Sequence, residues 1–406
     1  MPALDVTPRC RHAGRCGGCQ WQHVPYPEQL ARKRAALDVL LRRSDPRLPL
    51  VDPVVPMPVG DDGMPWHFRH KASFVFDRAA TGALVMGHYA AGGKTVVPVE
   101  ECPVHGERAN RIAFRLRDEL AKARIPAAGA DLSGVLRHLV IRTSEDERDA
   151  VAMLVVTRNV PALRKPVRAL LASADRPDGL FINLHERPSS YMVGRDTLRI
   201  DGHAHVRERR VGLTFLVSPT AFFQTNPTAA AELVDIVMAH VPDQARRVLD
   251  LYSGSGLFTL PLAATGYQVT AVEENTQAVA DASRNLEVNR LDPRAVRLVG
   301  GRVEDALPTV ARQAFDVVVL DPPRQGCSPA VLAAVFGQLA PARVIYVSCN
   351  PESLAAELPA ILEAGYAVSV VQPVDMFPHT PHVEAVVVLD RVTGRRGKNA
   401  RMEASQ

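Results

Sequence analysis

Across 406 residues, 47% hydrophobic and 23% charged with six unevenly spaced cysteines, the composition excludes a fibrous, disordered or disulfide-scaffolded protein. No apolar run approaches the roughly 18 residues that span a bilayer, and the N-terminus lacks a signal-peptide core, so a cytoplasmic protein with no membrane segment is expected. The formal net charge of +4 conceals a basic first half, 33 Lys and Arg against 24 Asp and Glu in residues 1–215, and an acidic remainder of 15 against 20. That distribution is expected where one part holds a polyanion and another does chemistry.

Cys10, Cys16 and Cys19 open the chain as a C-x5-C-x2-C cluster with Gly17 and Gly18 between the last two. Glycines let a tight loop turn backbone N–H groups toward thiolate sulfurs, as an iron–sulfur cluster or a zinc ion requires. A fourth ligand is needed, and Cys102, between a strand-like run at 95–99 and Pro103, is the available candidate. Residues 1–26 are therefore read as a metal-binding cysteine segment, with the metal left open by spacing alone. Residues 27–43 form a predicted amphipathic helix with Leu30, Leu37, Leu40 and Leu41 on one side, and the segment 27–45 is expected to pack on the catalytic domain. A Pro-rich connector at 46–65 marks a boundary or a long surface loop.

Within 46–215 the pattern predicts an α+β domain, with strands at 71–76, 139–142 and 151–157 and a helix near 108–124. Basic and aromatic residues interleave in His67-Phe68-Arg69-His70-Lys71, which suits a platform that stacks bases and contacts phosphates. From 216 to 392 strand and helix alternate. After a helix at 228–240, strands are predicted at 248–252, 268–273, 296–299, 315–320, 344–347, 367–371 and 384–389. Seven strands with intervening helices make a doubly wound, Rossmann-like sheet, and the Pro-rich turn before the last strand predicts that it returns antiparallel. The polar tail 393–406 is expected to be disordered.

Gly254 and Gly256 follow the first of these strands, and Glu273 ends the second. Glycines there admit a ligand to the backbone and the carboxylate suits two ribose hydroxyls, favouring S-adenosylmethionine over a nicotinamide cofactor because Thr259 breaks the G-x-G-x-x-G pattern. Asp321-Pro-Pro-Arg324 ends the fourth strand with a carboxylate and a rigid loop. Such loops also serve amino-group methyltransferases. Cys349 ends the fifth strand in Ser348-Cys349-Asn350-Pro351, where a thiol is either a nucleophile or core filler.

Together with the early cysteines, the Phe223-Gln224-Thr-Asn226 segment and Asp375-Met-Phe-Pro-His379-Thr, these motifs resemble the RNA uracil-5-methyltransferase family over nearly the whole chain. The resemblance implies a [4Fe–4S] cluster on Cys10, Cys16, Cys19 and Cys102, a nucleophile at Cys349 and a general base at Glu384. It places the methyl donor on Gln224, Tyr252, Glu273 and Asp321. Carbon 5 of uracil is a weak nucleophile, so thiolate addition at carbon 6 would activate it, and a base must then remove the C5 proton. An unperturbed thiol, with a pKa of about 8.5, is only slightly ionised at neutral pH, and the sequence does not identify what assists it. Phe222 or Phe223 either holds a flipped base or packs in the core.

Three features depart from the family pattern. Nine residues precede Cys10, so the small β-barrel that often comes before the cysteines is not expected, and RNA selection falls to the central domain. Ala356-Glu357 stands where the family tends to carry Arg-Asp, and Leu257 replaces a polar side chain. Cys327 has no expected role. The reading is a monomeric S-adenosylmethionine-dependent enzyme methylating carbon 5 of a uridine in 23S rRNA, its cluster structural or RNA-positioning. Its rivals are the T-loop of tRNA, whose enzymes often lack the cysteine cluster, an exocyclic-amine methyltransferase, and a non-catalytic iron–sulfur RNA-binding protein.

Overall fold

The computed structural model describes residues 6–189 and 191–392, so the predicted tail lies outside the described residues. Helix α1 (Tyr26–Ser44) carries Glu28 in its first turn and Arg42 and Arg43 in its last, matching the helix dipole at both ends. Its buried stripe is Tyr26, Gln29, Lys33, Leu37 and Leu41. Apolar periodicity finds two of the five, Leu37 and Leu41; Gln29 and Lys33 escape it because they are polar residues with buried partners. The connector after α1 is not a free surface loop. Leu48 and Val51 enter the core, and Asp52 N–H and Val55 N–H donate to the carbonyls of Val371 and Pro373, each at 2.9 Å. The connector thereby covers a sheet edge that would otherwise expose unpaired peptide groups.

The first sheet has seven strands: β1 (Lys71–Arg78), β2 (Leu84–Tyr89), β3 (Val96–Pro98), β4 (Leu136–Thr143), β5 (Ala150–Val156), β6 (Gly179–Leu184) and β7 (Asp196–Gly202). Their order is β3-β2-β1-β4-β5-β6-β7, with only β5 and β6 parallel. Helices α2 (Glu107–Lys122) and α3 (Arg164–Leu171) cover one face, α2 through Ala109, Ile112, Ala113, Leu116 and Leu120 at helical spacing. A hairpin follows, β8 (Val206–Arg210) with β9 (Leu213–Val217). Val206 packs on the other face of the first sheet while Phe215 and Val217 enter the core of the second, so the hairpin ties the two together.

The second half builds α4 (Pro227–His240), β10 (Arg247–Leu251), α5 (Thr259–Ala264), β11 (Gln268–Glu273), α6 (Thr276–Val288), β12 (Val296–Gly300), α7 (Val303–Val310) and β13 (Val317–Leu320). Then come α8 (Pro329–Leu332), running into a π-helical turn at Ala333–Leu339, β14 (Arg343–Ser348), α9 (Pro351–Glu363), β15 (Tyr366–Val374) and β16 (Glu384–Arg391). The order is β12-β11-β10-β13-β14-β16-β15, parallel through β14 with β16 antiparallel to both neighbours, as the sequence pattern predicts. Alternate residues divide between two cores. Val317, Val319, Ile345 and Val347 meet α4 and α5 through Leu233, Val237 and Leu260. Val318, Leu320, Val344 and Tyr346 meet Leu307, Val331, Leu354 and Leu358, with Leu37 and Leu41 of α1. Strand β13 starts two residues later than its apolar run because Asp316 turns its carboxylate onto the N–H groups of Arg246 and Arg247, at 2.8 and 2.9 Å. Among the described residues no helix is long and apolar enough to cross a membrane.

Leu37 is 2% exposed and Val39 on the same helix is 52% exposed. Leu37→Ala is expected to cost about 2–5 kcal/mol and Val39→Ala about 0.5 kcal/mol or less, read from denaturant midpoints.

Candidate active site and cysteine centre

The C-terminal ends of the parallel strands and the start of β16 converge on one crevice, the usual place for chemistry in an open α/β sheet. Ser348 pairs with Ala385, so Cys349 and Glu384, one residue further along each strand, lie side by side. Asp321 follows β13, the neighbour of β14. The Ser348–Pro351 turn is bolted to the Asp321–Arg324 loop: Asn350 Nδ2 and Ser353 Oγ donate to Arg324 O at 2.8 and 2.9 Å. Further along that loop, Glu357 accepts from Cys327 N–H at 2.8 Å and from the Tyr346 hydroxyl at 2.9 Å. The glutamate that departs from the family pattern therefore holds the loop from behind, and Cys327 sits buried beside it.

At the end of β10, Tyr252, Gly254 and Gly256 all take positive φ, and a Cβ on Gly256 would come within 2.2 Å of Leu260. The turn aims Gly254 N–H at Glu273 Oε2, 2.9 Å away, while Asn275 N–H takes Oε1 at 2.7 Å. Each oxygen keeps a lone pair for a ligand hydroxyl. Asp250 is buried with one oxygen on Thr259 Oγ1 at 2.5 Å and the other unpartnered among the described residues. Gln224 is buried on the segment before α4, next to Asn226, which caps α4 by accepting from Ala229 N–H at 3.2 Å and donates to Met376 O at 3.2 Å. Of the two adjacent phenylalanines, Phe223 packs on Phe215 in the core and Phe222 is 61% exposed. Glu273, Asp321, Glu384 and Cys349 thus lie in one group, whereas the Tyr252 hydroxyl faces Cys327.

Like charges crowd this group. Burial, then Asp250 and Glu273, pushes Asp321 up to about 8. Burial and Asp321 raise Glu384 well above the ordinary carboxylate range, and Glu384 Oε2 has no partner among the described residues. Burial, then Glu384 and Asp321, pushes the Cys349 thiol up to about 11, while the Arg324 guanidinium opposes the rise. Carboxylates held together without countercharge suit a cationic ligand. Arg324, which the sequence pattern marks only as the end of a rigid loop, is the cation beside the thiol, 3.3 Å from His382 Nδ1.

The four early cysteines also meet. Cys10, Cys16, Cys19 and Cys102 line one cavity of about 90 Å³. Gly17 N–H donates to Tyr89 O at 2.9 Å, and a Cβ on Gly17 would lie 3.1 Å from that oxygen, which explains a glycine there. His12 N–H and Gly18 N–H approach the sulfurs of Cys10 and Cys16, each at 3.4 Å. Burial pushes the Cys19 thiol to about 11 and the Cys102 thiol to about 12, helped by neighbouring sulfurs. Such thiols ionise when a metal binds. Three histidines, His12, His88 and His105, share the cavity, and the ligating atoms of His88, Cys102 and His105 lie within 4.8 Å of one another. His88 Nε2 and His105 Nδ1 are buried without partners among the described residues. The Cys102-Pro-Val-His105 spacing carries a signal for one of them; nothing local marks His88.

A family model described as tRNA (uracil-5-)-methyltransferase matches residues 64–392. An uncharacterized RNA methyltransferase of Gloeobacter violaceus is 34% identical over 94% of this chain and 82% of its own. One of Listeria innocua is 31% identical over 95% and 84%. The structure of the Pyrococcus abyssi tRNA (uracil-54, C5)-methyltransferase in complex with S-adenosyl-L-homocysteine superposes with a TM-score of 0.76 at 28% identity, covering 92% of this chain and 85% of that one.

With the Cys349 thiol held near 11, its thiolate fraction grows with pH throughout the neutral range. Iodoacetamide labelling of Cys349, taken as the difference between the wild type and Cys349→Ala, should accelerate about tenfold per unit between pH 7 and 9. Arg324→Met should slow it at every pH, and a plateau below pH 8 would contradict the assignment.

Proposed function

The chain belongs to the tRNA (uracil-5-)-methyltransferase family, and from that membership we propose that it methylates carbon 5 of a uridine in RNA through a covalent adduct on Cys349. The observation that carries this reading is the side-by-side placement of Cys349 and Glu384 at the joined ends of β14 and β16. The Cys349 thiolate, favoured by Arg324, adds to carbon 6 and drives the C5–C6 electron pair toward carbon 5 and the C4 carbonyl. Carbon 5 then bonds to the methyl carbon as that carbon's bond to the donor sulfur breaks, the electron pair leaving with the sulfur. Glu384, whose raised pKa makes it a stronger base than an ordinary carboxylate, removes the C5 proton. The C5–C6 double bond re-forms as the S–C6 bond breaks and the thiolate leaves. Of the two phenylalanines before Gln224, Phe222 is exposed and free to stack on a flipped uracil, whereas Phe223 is buried.

S-adenosylmethionine supplies the methyl group when bound. The residues fit it: the positive-φ turn at Tyr252–Gly256 opens the backbone to a ligand, Glu273 offers lone pairs to a ribose, and Asp321 and Asp250 offer negative charge to a cationic donor. Gln224 completes the proposed set with Tyr252, whose backbone shapes the turn while its hydroxyl faces away. For the cysteine centre, four thiols around one cavity with N–H groups at two sulfurs fit a [4Fe–4S] cluster held by Cys10, Cys16, Cys19 and Cys102. The proposed substrate is 23S rRNA, held by the basic first half. The tRNA T-loop is the second reading, favoured by the likeness to the Pyrococcus enzyme.

Cys349→Ala should abolish transfer, whereas an exocyclic-amine methyltransferase would keep it. Glu384→Gln should trap an RNA–protein adduct that survives denaturing electrophoresis, and absence of that adduct would count against the base. Purified without oxygen, the protein should hold about four iron atoms per chain. They should be lost in Cys16→Ser and kept when His88 and His105 are both alanine; zinc in place of iron would contradict the cluster.

A further inference from the structure

His379 stands in the middle of the loop between β15 and β16, fully buried, with φ +64°. A non-glycine residue persists in that region only where its surroundings over-determine it. Here they do. His379 N–H donates to Gln29 Oε1 at 2.8 Å, and His379 O accepts from Gln20 N–H and Trp21 N–H, both at 2.9 Å. Its Nε2 lies 2.7 Å from Pro65 O, and its ring stacks on Trp66 with centroids 4.6 Å apart. Gln29 Nε2 in turn donates to the carbonyls of Trp21 and Val24, at 3.0 and 2.9 Å. Gln20 and Trp21 directly follow Cys19, so the cysteine segment grips this loop through its own backbone.

One turn along α1, Lys33 pairs with Asp375 at 2.5 Å, both side chains fully buried, and donates to Phe377 O at 2.9 Å. The loop is thus held at Asp375, Phe377 and His379 by α1 and the segment before it. Five residues after His379 comes Glu384, whose backbone pairs with Val374 at the start of β16 and whose Oε2 has no hydrogen-bond partner among the described residues.

We propose that Gln29 and Lys33 are positioning residues for the general base: they lock the 375–383 loop to the cysteine segment and thereby set Glu384 against the C5 proton. This rests on the roles assigned above to Cys349 and Glu384. The metal-binding segment then acts on the last chemical step, proton removal, without touching substrate.

The test uses metal-loaded Gln29→Met and Lys33→Met with wild-type iron content. Methionine fills either volume, and Gln29→Met removes a neutral side chain and leaves no buried charge unpaired, so at least one variant should fold. With RNA and S-adenosylmethionine supplied, the readouts are turnover, denaturation-resistant RNA–protein adduct, and affinity for RNA and for S-adenosylhomocysteine. Misplacing the base should slow turnover about 10²-fold while methylated adduct accumulates and both affinities hold. A fall in affinity and turnover together without adduct, or unchanged turnover, would overturn the proposal. Adduct in Glu384→Gln but in neither positioning variant would overturn this inference alone; adduct in none of the three would remove the covalent reading beneath it.

Discussion

The antiparallel insertion of β16 between β14 and β15 brings the end of one strand and the beginning of another to the same point in the sheet. Had β16 run parallel to β14, Cys349 and Glu384 would stand roughly 20 Å apart, the length of a six-residue strand. Reversal requires the chain to turn back at the site, and the 375–383 loop that makes the turn is therefore part of the crevice. Its positions, and those of the Asp321–Arg324 loop beside it, follow from the strand order.

That arrangement gathers Asp250, Glu273, Asp321 and Glu384 where water is scarce. Burial first, and then the neighbouring carboxylates, raise Asp250, Asp321 and Glu384 against ionisation, while rigid strands and an interlocked group of loops keep the set together. Asn350 and Ser353 fix one loop, Glu357 braces it from behind, and the α1 contacts fix the other. A cation entering this crevice would relieve the repulsion, which suits a sulfonium donor, and a guanidinium already stands beside the thiol. The cysteine centre lies behind the second loop and reaches it through the backbone of Gln20 and Trp21.

Much of this was legible along the chain. Continuous apolar runs ending on Glu273, Asp321 and Cys349 mark strands buried on both faces, and the Pro-rich turn marks the reversal. Harder to see were features that depend on partners remote in sequence. Gln29 and Lys33 look like solvent-facing residues to any periodicity argument, since their partners lie 350 and 342 residues away. His88 joins the cysteine cavity only because β2 runs past it, and the fate of Phe222 against Phe223 is decided by Phe215, on the hairpin that spans the two cores. The π-helical turn after α8 has no signature in its composition that we can name.

The most direct measurement is mass-spectrometric mapping of 5-methyluridine in ribosomal and transfer RNA from cells with and without the gene. The account predicts loss of 5-methyluridine from a single 23S rRNA position, restored by the wild-type chain and not by Cys349→Ala. Loss from the tRNA T-loop would keep the chemistry and replace the substrate. Unchanged 5-methyluridine at every position, with an N-methylated base missing instead, would contradict the account.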